Sequence, residues 1–153
     1  MLTIHLSLEA ETAITNACRL AGARETGGML FGEHLAKDVF RVVEATLAGT
    51  GTVSSFVRNI FTSMGHLDRF FRRTRHDYQR FNYLGEWHSH PSFALSPSMA
   101  DDRAMVEIVN DPRTGARFAV SLIVKLREGE LLTAAFAYFP DGEREDVDVV
   151  LFK

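Results

Sequence analysis

The chain has 153 residues, of which 46% are hydrophobic and 24% charged, and its formal net charge is -3. This is ordinary globular composition, sufficient to bury a core, and it lacks the basic excess of a duplex binder. The one cysteine, Cys18, excludes an internal disulfide and any zinc site built on paired thiolates. The opening MLTIHLSLEAE has no signal-like pattern, and no apolar run approaches the ~20 residues of a membrane span. These features predict a single domain over 1–153 that is soluble and cytoplasmic, with no nucleic-acid and no membrane partner.

In chain order, residues 8–22 read as a helix. Ala10, Ile14, Ala17, Cys18 and Ala21 recur at helical spacing, and Ser7 suits the N-cap. Gly27 and Gly28 then release the chain into a short apolar strand, MLFGE. Residues 38–46 and 52–60 read as two more strands, with a turn at Gly49-Thr50-Gly51 between them. Residues 64–80 return to a helical period, with Met64, Leu67, Phe71 and Tyr78 on one side. Arg69, Arg72, Arg73, Arg75 and Arg80 crowd the remaining surface, as a solvated face or as a dock for an acidic partner.

YLGEWHSH, residues 83–90, reads as a central strand stopped by Pro91. A loop with Ser and Pro leads to a helix over 99–109, with Met105, Ile108 and Val109 inward. Residues 111–115 compose a turn. Strands follow at 118–126 and 131–139, and Val147–Phe152 suits a final edge strand. The mixed order predicts the α+β class (α/β-like), with a single mixed β-sheet flanked by helices.

His88 and His90 are one residue apart, so on a strand they share a face and can reach one ion. Ser98 and Asp101 begin the next helix, where a cap and a third-position acid are favoured by the backbone alone. A carboxylate fixed there also makes a third ligand. Two His and one carboxylate with an open fourth position is the pattern of a catalytic zinc site. Asp102 ranks second, since it points about 100° away from Asp101 around a helix.

His88-Ser89-His90-Pro91 followed by Ser98-Met99-Ala100-Asp101 resembles the JAMM motif of the MPN (JAB) metallopeptidase family. That motif is His-x-His, seven residues, Ser, two residues, Asp. The family also carries an upstream Glu before a Gly and an apolar strand ending in Gly, and Glu25 in ETGGMLFG fits. Gly85-Glu86-Trp87 ahead of the motif is similar to prokaryotic members, and the likeness spans about residues 8–125. The resemblance implies the MPN/JAB (cytidine-deaminase-like) fold and one zinc per chain on His88, His90 and Asp101. It also implies Glu25 as the base and Ser98 as donor to the oxyanion. Glu86 is the alternative base, on the same strand face but further from its end. Trp87 and Phe93 either pack in the core or touch a substrate tail.

The implied activity is a deubiquitinase-like isopeptidase or precursor-processing peptidase. It would cut the amide bond after the C-terminal tail of a ubiquitin-like protein, the tail adding to a sheet edge. Activating and conjugating enzymes of the same pathway are the implied further partners. The alternatives are maturation of a sulfur-carrier protein, hydrolysis of cell-wall peptides, a catalytically silent MPN scaffold and a DNA-repair-associated branch. Intact motif residues argue against the scaffold, and Phe93 with the acidic balance argues against the last.

Overall fold

The computed structural model describes residues 1–47, 64–112 and 117–152. Ile4 and Leu6 are buried and alternate with half-buried Thr3 and His5 in strand β1 (Thr3–Leu6), which the sequence did not predict. Ser7 then caps helix α1 (Leu8–Ala21), its hydroxyl accepting from the Ala10 amide at 3.1 Å. The five residues expected to face inward are the buried ones. Burial pushes the Cys18 thiol up to about 11, as suits a small core residue.

Strands β2 (Gly27–Ala36) and β3 (Val39–Ala45) form an antiparallel hairpin longer than the MLFGE segment alone. The expected strand at 52–60 and the turn at Gly49–Gly51 lie outside the described residues, as does part of the 111–115 turn. Helix α2 (Met64–Arg73) is shorter than the 64–80 predicted. It ends because Arg75 and His76 take positive φ, 58° and 57°, which no Gly or Pro announces. Its anchor is Phe70, buried and stacked on Phe31 at 4.5 Å, whereas Tyr78 lies beyond the helix and is half exposed.

The remaining elements are β4 (Phe81–Ser89), α3 (Met99–Asn110), β5 (Ala119–Arg127), β6 (Glu130–Tyr138) and β7 (Arg144–Val150). The strands order as β1-β3-β2-β4-β5-β6-β7 and close into a barrel. Pairs β1–β3, β4–β5 and β7–β1 are parallel and the others antiparallel. The mixed sheet with flanking helices is as predicted. The final edge strand is not: β7 pairs with β6 on one side and with β1 on the other. The second partner, β1, is four residues long and carries no pattern strong enough to announce it. Closure gives every described strand a neighbour on both sides, although β1 covers only Val39–Val42 of β3 and Asp148–Val150 of β7.

Two cores form. Ile4, Ile14, Leu30, Val42, Trp87 and Leu122 pack in one; Phe31, Phe70, Tyr83, Met105 and Ile108 pack in the other, beneath α2 and α3. A bulge on β4 assigns residues between them. Leu30 pairs with Gly85 and Phe31 with Tyr83, so Leu84 is the extra residue. The alternation therefore resets, sending Trp87 to the first core and turning Glu86 and His88 to the α3 side.

Gly85 has φ 155°, and a Cβ there would stand 1.9 Å from the Val120 carbonyl oxygen on β5. Gly85→Ala is expected to destabilise the fold by about 2–4 kcal/mol, read as a lower midpoint in urea unfolding. An unchanged midpoint would show that the bulge relaxes around a methyl group.

Candidate metal centre

The end of β4 is pinned by two bonds to the segment before β2. The Ser89 amide donates to the Thr26 carbonyl at 2.9 Å, and the Thr26 amide donates to Ser89 Oγ at 3.0 Å. This pairing runs Glu25 alongside His90. Glu25 is half-buried, and its carboxylate is near enough to favour the charged form of His90. Trp87 locks the same strand from below, its Nε1–H donating to the Thr46 carbonyl at 2.9 Å from a fully buried ring. Core packing is therefore the right reading of Trp87. It fails for Phe93, which is 61% exposed and sets its ring edge-on to His90 at 6.0 Å.

Pro91 to Pro97 carry the chain from β4 to α3. There Ser98 and Asp101 form a capping box: the Asp101 amide donates to Ser98 Oγ at 3.1 Å, and the Ser98 amide donates to Asp101 Oδ2 at 2.8 Å. The cap fixes the carboxylate facing the histidines. His88 Nε2 and His90 Nε2 are 3.0 Å apart, and Asp101 Oδ2 lies 3.5 and 3.4 Å from them. All three residues are buried. Among the described residues they form the one His/Cys/Asp/Glu group whose donor atoms converge this way.

The triangle has a size that would hold a zinc ion. Bonds of 2.0–2.1 Å to a tetrahedral zinc place neighbouring ligand atoms roughly 3.3 Å apart, close to the three edges here. A carbonyl can only accept, so the 2.9 Å contact of His90 Nδ1 with the Ala94 oxygen puts a proton on Nδ1; in the neutral ring Nε2 would then carry the lone pair a metal needs, and in the charged ring Nε2 donates to Asp101. The Asp101 carboxyl is held well below the usual range. Burial opposes this, but hydrogen bonds from His88, His90 and the Ser98 amide outweigh it. The His90 ring is raised, chiefly by its hydrogen bond to Asp101, with burial opposing.

Other candidates fall elsewhere. Asp102 turns away from the centre and accepts from Tyr138 Oη at 2.5 Å and from Arg144 at 2.9 Å, so it is not a competing ligand. These bonds tie the first turn of α3 to β6 and β7, and no local pattern announces them, since the partners lie far along the chain. Glu86 is fully buried on the α3 side of the sheet, its Oε1 accepting from Tyr83 Oη at 3.0 Å. Burial raises its carboxyl well above the ordinary range, Tyr83 opposing. Its lack of solvent access makes it a poorer base than half-buried Glu25. The arginines around α2 are largely engaged within the chain: Arg72 with Asp68, Arg73 with Glu44 and Arg80 with Glu33. All three stay more than half exposed and still face solvent. No helix among the described residues is long and apolar enough to cross a membrane.

The chain is similar to known proteins in sequence and in fold. A CD-NTase/cGAS isopeptidase from Enterobacter hormaechei subsp. hoffmannii (strain UCI 50) is 32% identical over 115 residues, 71% of this chain. The match spans 59% of that relative's length. A protein of Desulfitobacterium hafniense, solved in solution, shares the fold at 20% identity with a TM-score of 0.67, over 99% of this chain and 94% of that one. A JAB1/MPN domain protein from Archaeoglobus fulgidus aligns at 18% identity and a TM-score of 0.48, over 97% and 99% of the two chains. The family model for prokaryotic homologues of the JAB domain matches residues 7–136. The chain belongs to the family of prokaryotic JAB-domain proteins.

Proposed function

We propose that the chain is a zinc-dependent isopeptidase, acting as one domain over 1–153, that cuts the amide bond after the C-terminal tail of a ubiquitin-like protein. The observation that carries this reading is the buried triangle of His88 Nε2, His90 Nε2 and Asp101 Oδ2, with edges of 3.0–3.5 Å. That the Enterobacter relative is an isopeptidase favours an isopeptide bond over a linear one. Activating and conjugating enzymes of the same modifier would be the remaining partners.

Bound to His88, His90 and Asp101, zinc would supply a Lewis acid and a water acidic near neutrality. Glu25, whose charge is felt at His90, would be the proton acceptor, taking a proton at its carboxylate and passing it to the leaving amine. Ser98 serves in two ways. Its Oγ accepts the cap bond from Asp101, which leaves its own O–H to donate to the oxygen of the scissile carbonyl. Ser98 is exposed, so a substrate can reach that hydroxyl without breaking the cap. The exposed Phe93 ring would wall the approach to His90.

The test offers a cognate ubiquitin-like protein joined by an isopeptide bond to a lysine of a second protein, beside the free tail peptide carrying the same bond. Rapid cleavage of the conjugate, stopped by a chelator and restored by zinc, is the expected result, with slow cleavage of the peptide. Equal rates on both would shift the reading to a general peptidase. No cleavage of either by zinc-loaded protein would point to a binding scaffold.

A further inference from the structure

A neutral histidine that offers Nε2 as a ligand must carry its proton on Nδ1, and a buried N–H needs an acceptor. His90 has one in the Ala94 carbonyl. His88, 1% exposed, has none among the described residues: its Nδ1 is buried and unpartnered. Two other side-chain atoms share that condition, Glu86 Oε2 and Ser121 Oγ. Buried polar groups are nearly always satisfied, so three orphans together call for a common partner.

Their placement on the sheet supplies one. Glu86 and Ser121 are direct register partners on the parallel strands β4 and β5, so both side chains leave the same side of the sheet. His88 follows Glu86 by two residues and shares that side. On the flanking strands Met29 stands opposite Glu86 and Phe136 opposite Ser121, and neither brings a carboxylate, amide or hydroxyl. The Tyr83 hydroxyl is committed to the other oxygen of Glu86 and holds that carboxyl in place.

Resting on the metal-centre reading above, we propose that Glu86 is a positioning residue, which with Ser121 holds a buried water against His88. The water accepts the Nδ1–H of His88 and the O–H of Ser121 and donates to Glu86 Oε2, three bonds, as buried waters typically make. The His88 ring is thereby held with its Nε2 lone pair toward His90 and Asp101. Glu86 acts through His88 and touches neither substrate nor ion. This gives a use to a fully buried acid that the base assignment leaves idle.

The experiment measures zinc affinity by chelator competition for wild type, Glu86→Leu, Glu86→Gln and Ser121→Ala, and solves the zinc-loaded wild-type crystal structure. Loss of an outer partner of a metal-bound His costs about 10–100-fold in affinity, so Glu86→Leu should weaken zinc by that factor, while Glu86→Gln, which keeps an acceptor, should stay within about threefold. The rescue by Gln separates positioning from mere filling of space, since Leu fills it as well. The crystal structure should show one water within hydrogen-bond reach of all three atoms. Equal affinity of Glu86→Leu and wild type, or no such water, would overturn the proposal. If Glu86→Leu does not fold, the crystal structure and Ser121→Ala decide: a water in place and weaker zinc support it, and unchanged affinity overturns it. A folded wild type that takes up no zinc would overturn the metal-centre reading, and this proposal with it, a result distinct from equal affinities.

Discussion

His88→Ala and His90→Ala should each abolish stoichiometric zinc in protein purified without chelators, and with it all chelator-sensitive cleavage. Either change leaves one imidazole and one carboxylate, too few for a tetrahedral site that keeps three protein ligands. Water activation and carbonyl polarisation are then lost together, so turnover should fall by at least about 10³-fold. The fold should survive, because the site lies where β4 meets α3, while the two cores are built from other residues. Elemental analysis and circular dichroism on the same samples separate the two effects. Full zinc content in both variants would show that the ion sits elsewhere.

Glu25→Gln should do the opposite to the metal and the same to turnover. Glu25 lies outside the converging triangle, so zinc content should equal that of wild type. Loss of a general base typically removes 10²–10⁴-fold in rate, and Gln preserves size while discarding the proton acceptor. Retained zinc with a rate loss in that range is the expected result. A near-normal rate would transfer the proton to another group, and lost zinc would make Glu25 a ligand in the resting protein.

The centre was largely legible because its parts are short-range patterns. His88 and His90 share a face by the two-residue period of a strand, and Ser98 with Asp101 mark a helix start by capping chemistry that needs no tertiary context. Glu25 was harder. Its link to His90 depends on the Thr26–Ser89 pairing, which spans 63 residues; Gly27 and Gly28 permit the chain to return sharply there, and the family resemblance pointed to the role. Features set by distant partners left no trace in sequence. Asp102 reads as an ordinary first-turn acid until Tyr138 and Arg144 arrive from other strands. The bulge at Gly85 left only a glycine inside a strand, yet it decides which way His88 points. Strand β1, four residues long, is too short for its alternation to stand out, and without it the closure of the sheet could not be foreseen.

That closure also bears on how fast the molecule can form. The seam joins Thr3, Ile4 and His5 to Asp148, Val149 and Val150, residues from opposite ends of the described chain. Three of the other six ladders, β2–β3, β5–β6 and β6–β7, join consecutive strands and can zip locally. The seam must instead wait on the loop entropy of almost the whole polypeptide, and non-local parallel pairing is the slow kind. Folding should therefore be limited by β1 docking between β3 and β7. Amide exchange at Asp148, whose N–H bonds to the Leu2 carbonyl, would report that step late in a refolding time course, after β5 and β6 are protected.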